Sequence, residues 1–188
     1  DRQEETDMLE WLRNMDWTVL HWLREVTQCG AMDLIMPKIT ALGNGGAVWI
    51  AAAAAMTISK KYRKYGIAMF AALIAGVLVG NLCLKNLIAR ARPCWLESVS
   101  LLIANPTDYS FPSGHTLSSV IGAYMLMAAN RRFGWAAIPL AALITFSRLY
   151  LFVHFPTDVL ASVVLGIVIG TVAVWGTKRI SNKSIARG

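Results

Sequence analysis

The feature of this sequence that most limits its fold is a set of long runs that contain no Asp, Glu, Lys or Arg. An α-helix needs roughly 20 predominantly apolar residues to cross a bilayer. Of the 188 residues, 56% are hydrophobic and 15% are charged, whereas soluble domains contain about 45–50% and about 25%. The sequence therefore predicts an all-α, multi-pass transmembrane helical bundle with about five spans. The uncharged runs are residues 39–59, 65–84, 109–130, 133–147 and 159–177.

Two of these runs need a further assumption before they can be read as spans. Run 39–59 contains the segment Gly43-Asn44-Gly45-Gly46, which we expect to form a bend or a helix entry. Run 133–147 reaches a spanning length only if it continues through residues 149–153, which requires Arg148 to face the interior of the protein.

The first 28 residues differ from the rest, because seven of them are acidic and three are basic. Apolar residues recur there at spacings of three and four, which is typical of one face of a helix. We interpret this segment either as an amphipathic helix at the membrane surface, with its tryptophans at headgroup level, or as a helix packed on the outside of the bundle. The apolar positions are Met8, Leu12, Met15, Val19, Trp22 and Val26. The chain thus divides into an amphipathic surface helix (1–28), a transmembrane domain (29–180) and a basic cytoplasmic tail (181–188).

The net charge is +7, and ten of the 18 lysine and arginine residues lie in three clusters. They lie at residues 60–64, 131–132 and 178–187, and alternation of span direction brings all three to one side of the membrane. Positively charged loops are typical of the cytoplasmic side, so we expect a multi-pass protein of the cell membrane with these loops and the C-terminus inside. Because the charges flank spans and form no groove or finger motif, we expect no nucleic-acid partner.

A second set of polar and ionisable residues belongs to the opposite side, where few cations are expected. Ionisable residues at membrane depth are costly and usually mark function. Three cations of this set suit phosphate oxygens, and a serine and a glycine open a helix whose free N–H groups can bind an anion. For Arg90 we favour an interfacial side chain that snorkels to the headgroups. The other members are Lys85, Arg92, Ser113, Gly114, His115, Arg148, His154 and Asp158.

The two histidines add the groups that phosphoryl transfer requires, a nucleophile and an acid for the leaving group. His154 precedes Asp158 by four residues, and a carboxylate on one ring nitrogen would leave the other nitrogen free to attack phosphorus. His115 would then protonate the departing oxygen. The residues alone do not decide which histidine attacks. Individually, Ser113 could be only a helix cap and Asp158 only a complement to the helix dipole.

Three blocks of the sequence carry a family resemblance. They are KNLIARARP (residues 85–93), PSGH (112–115) and SRLYLFVHFPTD (147–158), which fit K-x6-RP, PSGH and SR-x5-H-x3-D. Together they resemble the signature of the type-2 phosphatidic acid phosphatase superfamily, and the resemblance extends over roughly residues 30–180. It implies a six-helix-type α-bundle and a metal-independent phosphatase with no cofactor and a phosphohistidine intermediate.

The resemblance also implies a role for each residue of the blocks. Lys85, Arg92 and Arg148 would hold the phosphate together with Ser113 and the backbone of Gly114. His154 would be the nucleophile, Asp158 its partner and His115 the general acid. The same superfamily contains soluble vanadium-dependent haloperoxidases, and the predicted spans argue against that activity.

The leading hypothesis is an integral membrane phosphatase that acts on a lipid phosphate or diphosphate at the external leaflet. Candidate substrates are undecaprenyl diphosphate, phosphatidylglycerol phosphate and phosphatidate. The alternatives are a phosphatase specific for prenyl diphosphates and a non-catalytic protein that binds or transports lipid phosphates. We expect loop 93–112, with Trp95, Glu97 and Asp108, to shape access to the site, without separate roles for its residues. The oligomeric state is left open.

Overall fold

The computed structural model describes the backbone of residues 2–185 and the side chains of residues 3, 4 and 6–179. This part of the chain is helical and contains no strand, which confirms the all-α prediction. The predicted tail falls on the end of α9 and on residues 186–188, which lie outside the described residues. The elements are α1 (Arg2–Thr27), α2 (Gly30–Leu42), a 3-10 turn (Asn44–Gly46), α3 (Ala47–Ile58), α4 (Arg63–Gly76), a π-helix (Val77–Leu84), α5 (Lys85–Ile88), α6 (Pro93–Leu96), α7 (Gly114–Ala129), α8 (Arg131–Tyr150) and α9 (Pro156–Ile185).

The long apolar helices agree with most of the predicted spans. Within the described residues, three helical stretches are long and apolar enough to cross a membrane, namely Arg63–Leu96, Arg131–Tyr150 and Pro156–Arg179. The pair Gly30–Leu42 and Asn44–Ile58, bent by 43°, forms a fourth if it is counted as one broken span. The predicted third span is the exception, because α7 has only 16 residues and spanning helices need about 17–25.

The bend between α2 and α3 depends on its glycines. Gly45 and Gly46 have φ angles of 58° and 72°, in the left-handed region that residues with a Cβ avoid. Gly43 serves a different purpose, because a Cβ at this position would lie 2.8 Å from Cδ2 of His115. The predicted bend therefore exists, and it lets the start of α7 approach the end of α2 closely.

Helix α7 is the centre of the bundle and packs against α3, α4, α8 and α9. Small residues permit this close packing. At Gly122 a Cβ would lie 2.4 Å from the ring of Trp49, whose Nε1 donates a hydrogen bond to Ser119 Oγ at 3.0 Å. On α9, Gly166 and Gly170 face Val120 and Tyr124 of α7, where a Cβ would come within 2.8 Å of either side chain. These contacts assign that GxxxG motif a packing role.

Helix α1 packs on the ends of α8 and α9 through one face and leaves another face exposed. On the packed face Asp16 and Leu20 are fully buried, and the ring of Trp17 meets Phe155 edge-on at 5.0 Å. Of the two interpretations of residues 1–28, the helix packed on the bundle is therefore right for this face. The other face retains the composition of a membrane-surface helix, because Met8, Trp11, Trp22 and Val26 are exposed on it.

Candidate active site

A cavity of about 910 Å³ opens at the helix ends where the second set of polar residues was predicted. One end of its wall is polar, and the flank formed by α3, α4 and the π-helix is apolar. Ser113 and Asp158 lie buried behind the polar end. The structure therefore brings all eight predicted site residues to one place. The six that line the cavity are Lys85, Arg92, Gly114, His115, Arg148 and His154.

His154 lies in the short connection between α8 and α9 and is 1% exposed. Its Nε2 is 3.0 Å from Nη1 of Arg92. Because a guanidinium can only donate, Nε2 is the acceptor, which assigns the ring proton to Nδ1. Burial lowers the pKa of His154, and the charge of Arg92 acts in the same direction, against the opposing effect of Asp158. The imidazole is therefore neutral at neutral pH, and the lone pair of Nε2 is directed at Arg92.

The protonated nitrogen of His154 reaches Asp158 through an intermediary. Nδ1 and Asp158 Oδ2 are 3.8 Å apart, which is too long for a hydrogen bond. Ser110 Oγ lies 3.5 Å from Nδ1 and donates to Asp158 Oδ2 at 2.5 Å. The direct contact expected from the four-residue spacing is therefore replaced by a relay. Sequence reasoning missed Ser110, whose only signal was its place in the polar segment before the PSGH block.

Two of the three predicted phosphate-binding cations already hold an anion, the carboxylate of Asp108. Lys85 Nζ lies 2.5 Å from Asp108 Oδ2, and Arg92 Nη2 lies 2.8 Å from Oδ1. Partial burial would raise the pKa of Asp108, but the hydrogen bonds and charges of Lys85 and Arg92 outweigh it and lower this pKa to about 2. The loop between α6 and α7 thus supplies a permanently ionised group to the cations. The sequence indicated only that this loop shapes access.

The third cation, Arg148, has one N–H group that donates to no acceptor. It is 4% exposed in the last turn of α8, and its Nη1 donates to Thr40 Oγ1 at 2.7 Å. Its Nε is buried and has no partner. An unsatisfied buried donor costs about 1–3 kcal/mol, so an anionic oxygen in the cavity would recover this free energy. The predicted inward orientation of Arg148 is correct.

Ser113 is occupied by helix capping. Its Oγ accepts from Thr116 Oγ1 at 3.0 Å and from the Thr116 N–H at 3.5 Å, and its own N–H donates to Ser162 Oγ at 2.8 Å. The structure thus shows that Ser113 caps the N-terminus of α7, and phosphate binding by its hydroxyl stays a prediction. Gly114 follows at the cavity wall, where a Cβ would lie 3.0 Å from Asn81 Oδ1.

His115 has a partner that sequence reasoning did not find. Its Nε2 lies 2.9 Å from Oδ1 of Asn44, which belongs to the 3-10 turn between α2 and α3. Asn44 and His115 line the same cavity as His154. The only signal in the sequence was a single polar residue among the glycines that interrupt the first predicted span.

The interpretation of Arg90 as a snorkelling interfacial residue is wrong. Its guanidinium is hydrogen-bonded to Asp158 Oδ1 and to Asp16 Oδ2, each at 2.6 Å. The side chain is only 25% exposed and lies 4.2 Å above the ring of Phe155. Two buried carboxylates hold this cation inside the protein, because an unpaired buried charge would be costly.

This site geometry coincides with a family match. Residues 64–181, more than half of the chain, match the model of the PAP2 superfamily. The chain belongs to the PAP2 superfamily. All eight predicted site residues fall inside the matched range, which confirms the resemblance noted in the three sequence blocks. Helices α1 to α3 lie outside it.

Individual relatives agree with this membership. The chain is 37% identical over 121 residues to an undecaprenyl-diphosphatase of Sulfolobus acidocaldarius, covering 63% of this chain and 58% of the relative. It is 30% identical over 164 residues to phosphatidylglycerophosphatase B of Bacillus subtilis, covering 79% of this chain and 72% of the relative. The chain thus spans less than two thirds of the length of the Sulfolobus protein.

The fold also matches a solved structure, that of the first transmembrane PAP2 type phosphatidylglycerolphosphate phosphatase from Bacillus subtilis. The TM-score is 0.73 at 25% sequence identity, and the match covers 89% of this chain and 87% of the other. Together with the apolar helices, this match shows that the chain is a helical membrane protein.

Proposed function

We propose that this protein is an integral membrane phosphatase that hydrolyses a lipid phosphate or diphosphate through a phosphohistidine on His154. One observation carries the proposal. A neutral, buried imidazole presents the lone pair of Nε2 beside Arg92, in a cavity that Lys85 and Arg148 also line. Nucleophilic catalysis requires such an activated, unprotonated nitrogen. Membership of the PAP2 superfamily and the phosphatase names of its relatives point in the same direction.

In the first step the substrate phosphate binds to Lys85, Arg92 and Arg148, which neutralise its charge. A phosphate oxygen takes over the hydrogen bond that Arg92 Nη1 donates to His154 Nε2, which releases the lone pair of Nε2. This lone pair attacks phosphorus, and the bond between phosphorus and the bridging oxygen breaks. His115 donates a proton to that oxygen, which leaves as an alcohol or, from a diphosphate, as a lipid monophosphate. The Nδ1–H of the phosphorylated ring stays directed at Ser110, whose hydroxyl is bound to the Asp158 carboxylate.

In the second step water replaces the lipid. His115, now neutral, accepts a proton from the water as its oxygen attacks phosphorus. The N–P bond breaks, its electron pair returns to Nε2, and inorganic phosphate leaves. Both steps use the same two histidines in exchanged proton roles.

The apolar flank of the cavity suits the hydrocarbon chain of a lipid substrate. Apolar side chains beside the phosphate-binding residues can bury the methylene groups of that chain. The substrate candidates are undecaprenyl diphosphate, phosphatidylglycerol phosphate and phosphatidate, and the names of the relatives favour the first two. The flank is formed by Ile50, Phe70, Leu73, Ile74, Val77 and Leu78.

We further propose that the site faces away from the cytoplasm. The basic clusters between α3 and α4, between α7 and α8, and near the end of α9 lie at the helix ends opposite the site, and such clusters are typical of the cytoplasmic side. Single cysteines at Lys61 and Asn105, each in a variant without native cysteines, test this orientation. In right-side-out vesicles a membrane-impermeant maleimide should label the variant at 105 and spare the one at 61. The reverse pattern would contradict the proposed orientation.

The activity is tested with purified full-length protein and a lipid diphosphate in the presence of EDTA. We expect wild type to release inorganic phosphate, His154→Ala to release none, and His21→Ala, which alters an exposed histidine outside the cavity, to match wild type. No release by wild type would favour a non-catalytic lipid-phosphate binding or transport protein. Release by His154→Ala equal to that of wild type would refute catalysis through His154. A sharp loss on adding EDTA would indicate a metal requirement. A panel of prenyl diphosphates and glycerol-based phospholipids then separates the substrate candidates.

A further inference from the structure

We propose that Asp16, on the N-terminal helix α1, is a positioning residue that orients His154 through Arg90 and Asp158. The inference rests on the proposed role of His154 as nucleophile. It gives α1, which lies outside the residues matched to the PAP2 superfamily, a part in the function of the site.

Short hydrogen bonds connect Asp16 to Asp158 through Arg90. Arg90 Nη2 donates to Asp16 Oδ2 and Arg90 Nη1 donates to Asp158 Oδ1, each at 2.6 Å. Asp16 and Asp158 are 1% and 0% exposed, so water does not compete for either carboxylate. One planar guanidinium therefore cross-links a carboxylate of α1 to the carboxylate that serves His154.

Asp16 also fixes the beginning of α9. Its Oδ1 accepts from the backbone N–H of Thr157 at 2.9 Å, and its Oδ2 accepts from Thr157 Oγ1 at 2.5 Å. The N–H groups of a first helical turn have no partner within the helix, and a carboxylate there interacts favourably with the helix dipole. Asp16 thus acts as an N-terminal cap supplied by another helix, one residue before Asp158.

Arg90 holds both groups through which His154 is oriented. Its side chain binds Oδ1 of Asp158, while Oδ2 accepts from Ser110 and from the backbone N–H of Phe155 at 2.9 Å. Its backbone carbonyl accepts from the N–H of Ser110 at 2.8 Å. The relay from His154 Nδ1 to Ser110 and Asp158 is therefore anchored at both members by one residue. Asp16 helps to fix the guanidinium of that residue, together with Thr157 Oγ1 at 2.7 Å and the ring of Phe155.

The substitution Asp16→Asn removes this support with little change of volume. If the new Oδ1 keeps its bond to the Thr157 N–H, the new amide nitrogen points at Arg90 Nη2, and two donors oppose each other. Arg90 keeps its bonds to Thr157 Oγ1 at 2.7 Å and to Asp158 Oδ1, but its guanidinium shifts away from α1 and changes the position of Asp158. Misplacement of a reacting group by about 1 Å can cost about 100-fold in rate. Because Asp16 acts on His154 only through other residues, we expect a smaller decrease of about 10-fold in kcat.

The experiment compares Asp16→Asn, Arg90→Gln and the double variant, in the full-length protein with a lipid diphosphate. Because neither residue touches the phosphate-binding cations, KM and the inhibition constant of inorganic phosphate should stay at the wild-type values while kcat falls. Because Asp16 acts through Arg90, the double variant should be no slower than Arg90→Gln alone. His21→Ala is the matched control, since it removes a contact of α1 with Glu97 and leaves Asp16 in place.

Three results would overturn the inference. A wild-type kcat in Asp16→Asn would exclude positioning by Asp16. Additive losses of kcat in the double variant, together with an equal loss in His21→Ala, would mean that α1 only stabilises the fold. In that case the melting temperatures of all these variants would be lowered as well. If His154→Ala is inactive while Asp16→Asn is unaffected, the inference fails and the proposed function survives. Activity retained in His154→Ala would remove both.

Discussion

The carboxylate of Asp108 occupies the position at which a substrate phosphate should meet Lys85 and Arg92. Substitution of Asp108 by Asn keeps the shape of the side chain and removes its charge. A phosphate entering the cavity then no longer competes with an internal anion for the two cations. Inorganic phosphate, the product, should therefore bind more tightly to Asp108→Asn than to wild type.

The size of this effect follows from the pKa of Asp108. The cations lower it from 3.8 to about 2, which corresponds to roughly 2.4 kcal/mol of interaction free energy. The side chain is 56% exposed, so solvent screening reduces the value to about 1 kcal/mol. A free energy of this size changes an affinity about 5-fold. Since the pKa is depressed, the interaction is complete above the ordinary pKa of an aspartate and is lost only as the pH falls through about 2. The full effect is thus present at neutral pH.

The assay is inhibition of lipid-phosphate hydrolysis by inorganic phosphate at pH 7. We expect the inhibition constant of Asp108→Asn to be about 5-fold lower than that of wild type. Glu97→Gln is the control, because this carboxylate belongs to the same loop but pairs with His21 at 3.1 Å. An unchanged or higher inhibition constant in Asp108→Asn would show that the carboxylate does not compete with phosphate, and the argument would fail.

Three further predictions address the relay, the nucleophile and the core. Ser110→Ala removes the group that orients His154 between the imidazole and its carboxylate, so kcat should fall by up to about 100-fold at unchanged KM in steady-state assays; a wild-type kcat would rule out the relay. Because burial lowers the pKa of His154, the acid limb of the pH profile of kcat/KM should lie below pH 6.5, and a loss of activity centred at or above that pH would contradict a neutral nucleophile. Gly122→Ala places a methyl 2.4 Å from the Trp49 ring and should destabilise the fold by about 1–3 kcal/mol. Gly176→Ala, which has open space around it, should gain about 0.5–1 kcal/mol in helix preference; thermal unfolding in detergent that ranks the two variants equally would refute this packing argument.

The spans that sequence reasoning located correctly are those with a local signal. The apolar runs in α4, α8 and α9 make up most of each helix, and their composition alone requires a lipid or protein environment. The length of α7 was overestimated because its uncharged run includes residues 109–113, which form a loop. The buried face of α1 was also not apparent, since it centres on Asp16, a charged residue whose burial depends on Arg90 from another part of the chain.

The same distinction between local signals and contacts of distant segments applies to the candidate site. Residues inside the three sequence blocks were found because their spacing within each block is fixed by local structure. The supporting residues were missed because their roles arise from contacts between distant segments. Asn44 meets His115 across 71 positions, and Asp16 meets Arg90 across 74. No local sequence pattern in these segments predicts either hydrogen bond.

The shortness of α7 has a consequence for where the reaction takes place. Sixteen residues rise only ~24 Å, whereas the hydrocarbon layer is about 30 Å thick. If the end at Ala129, next to the basic pair of α8, reaches one boundary of that layer, the end that carries His115 stops ~6 Å below the other. The proposed dephosphorylation would then occur beneath the plane of the headgroups, and water would have to enter below that plane to reach the phosphate.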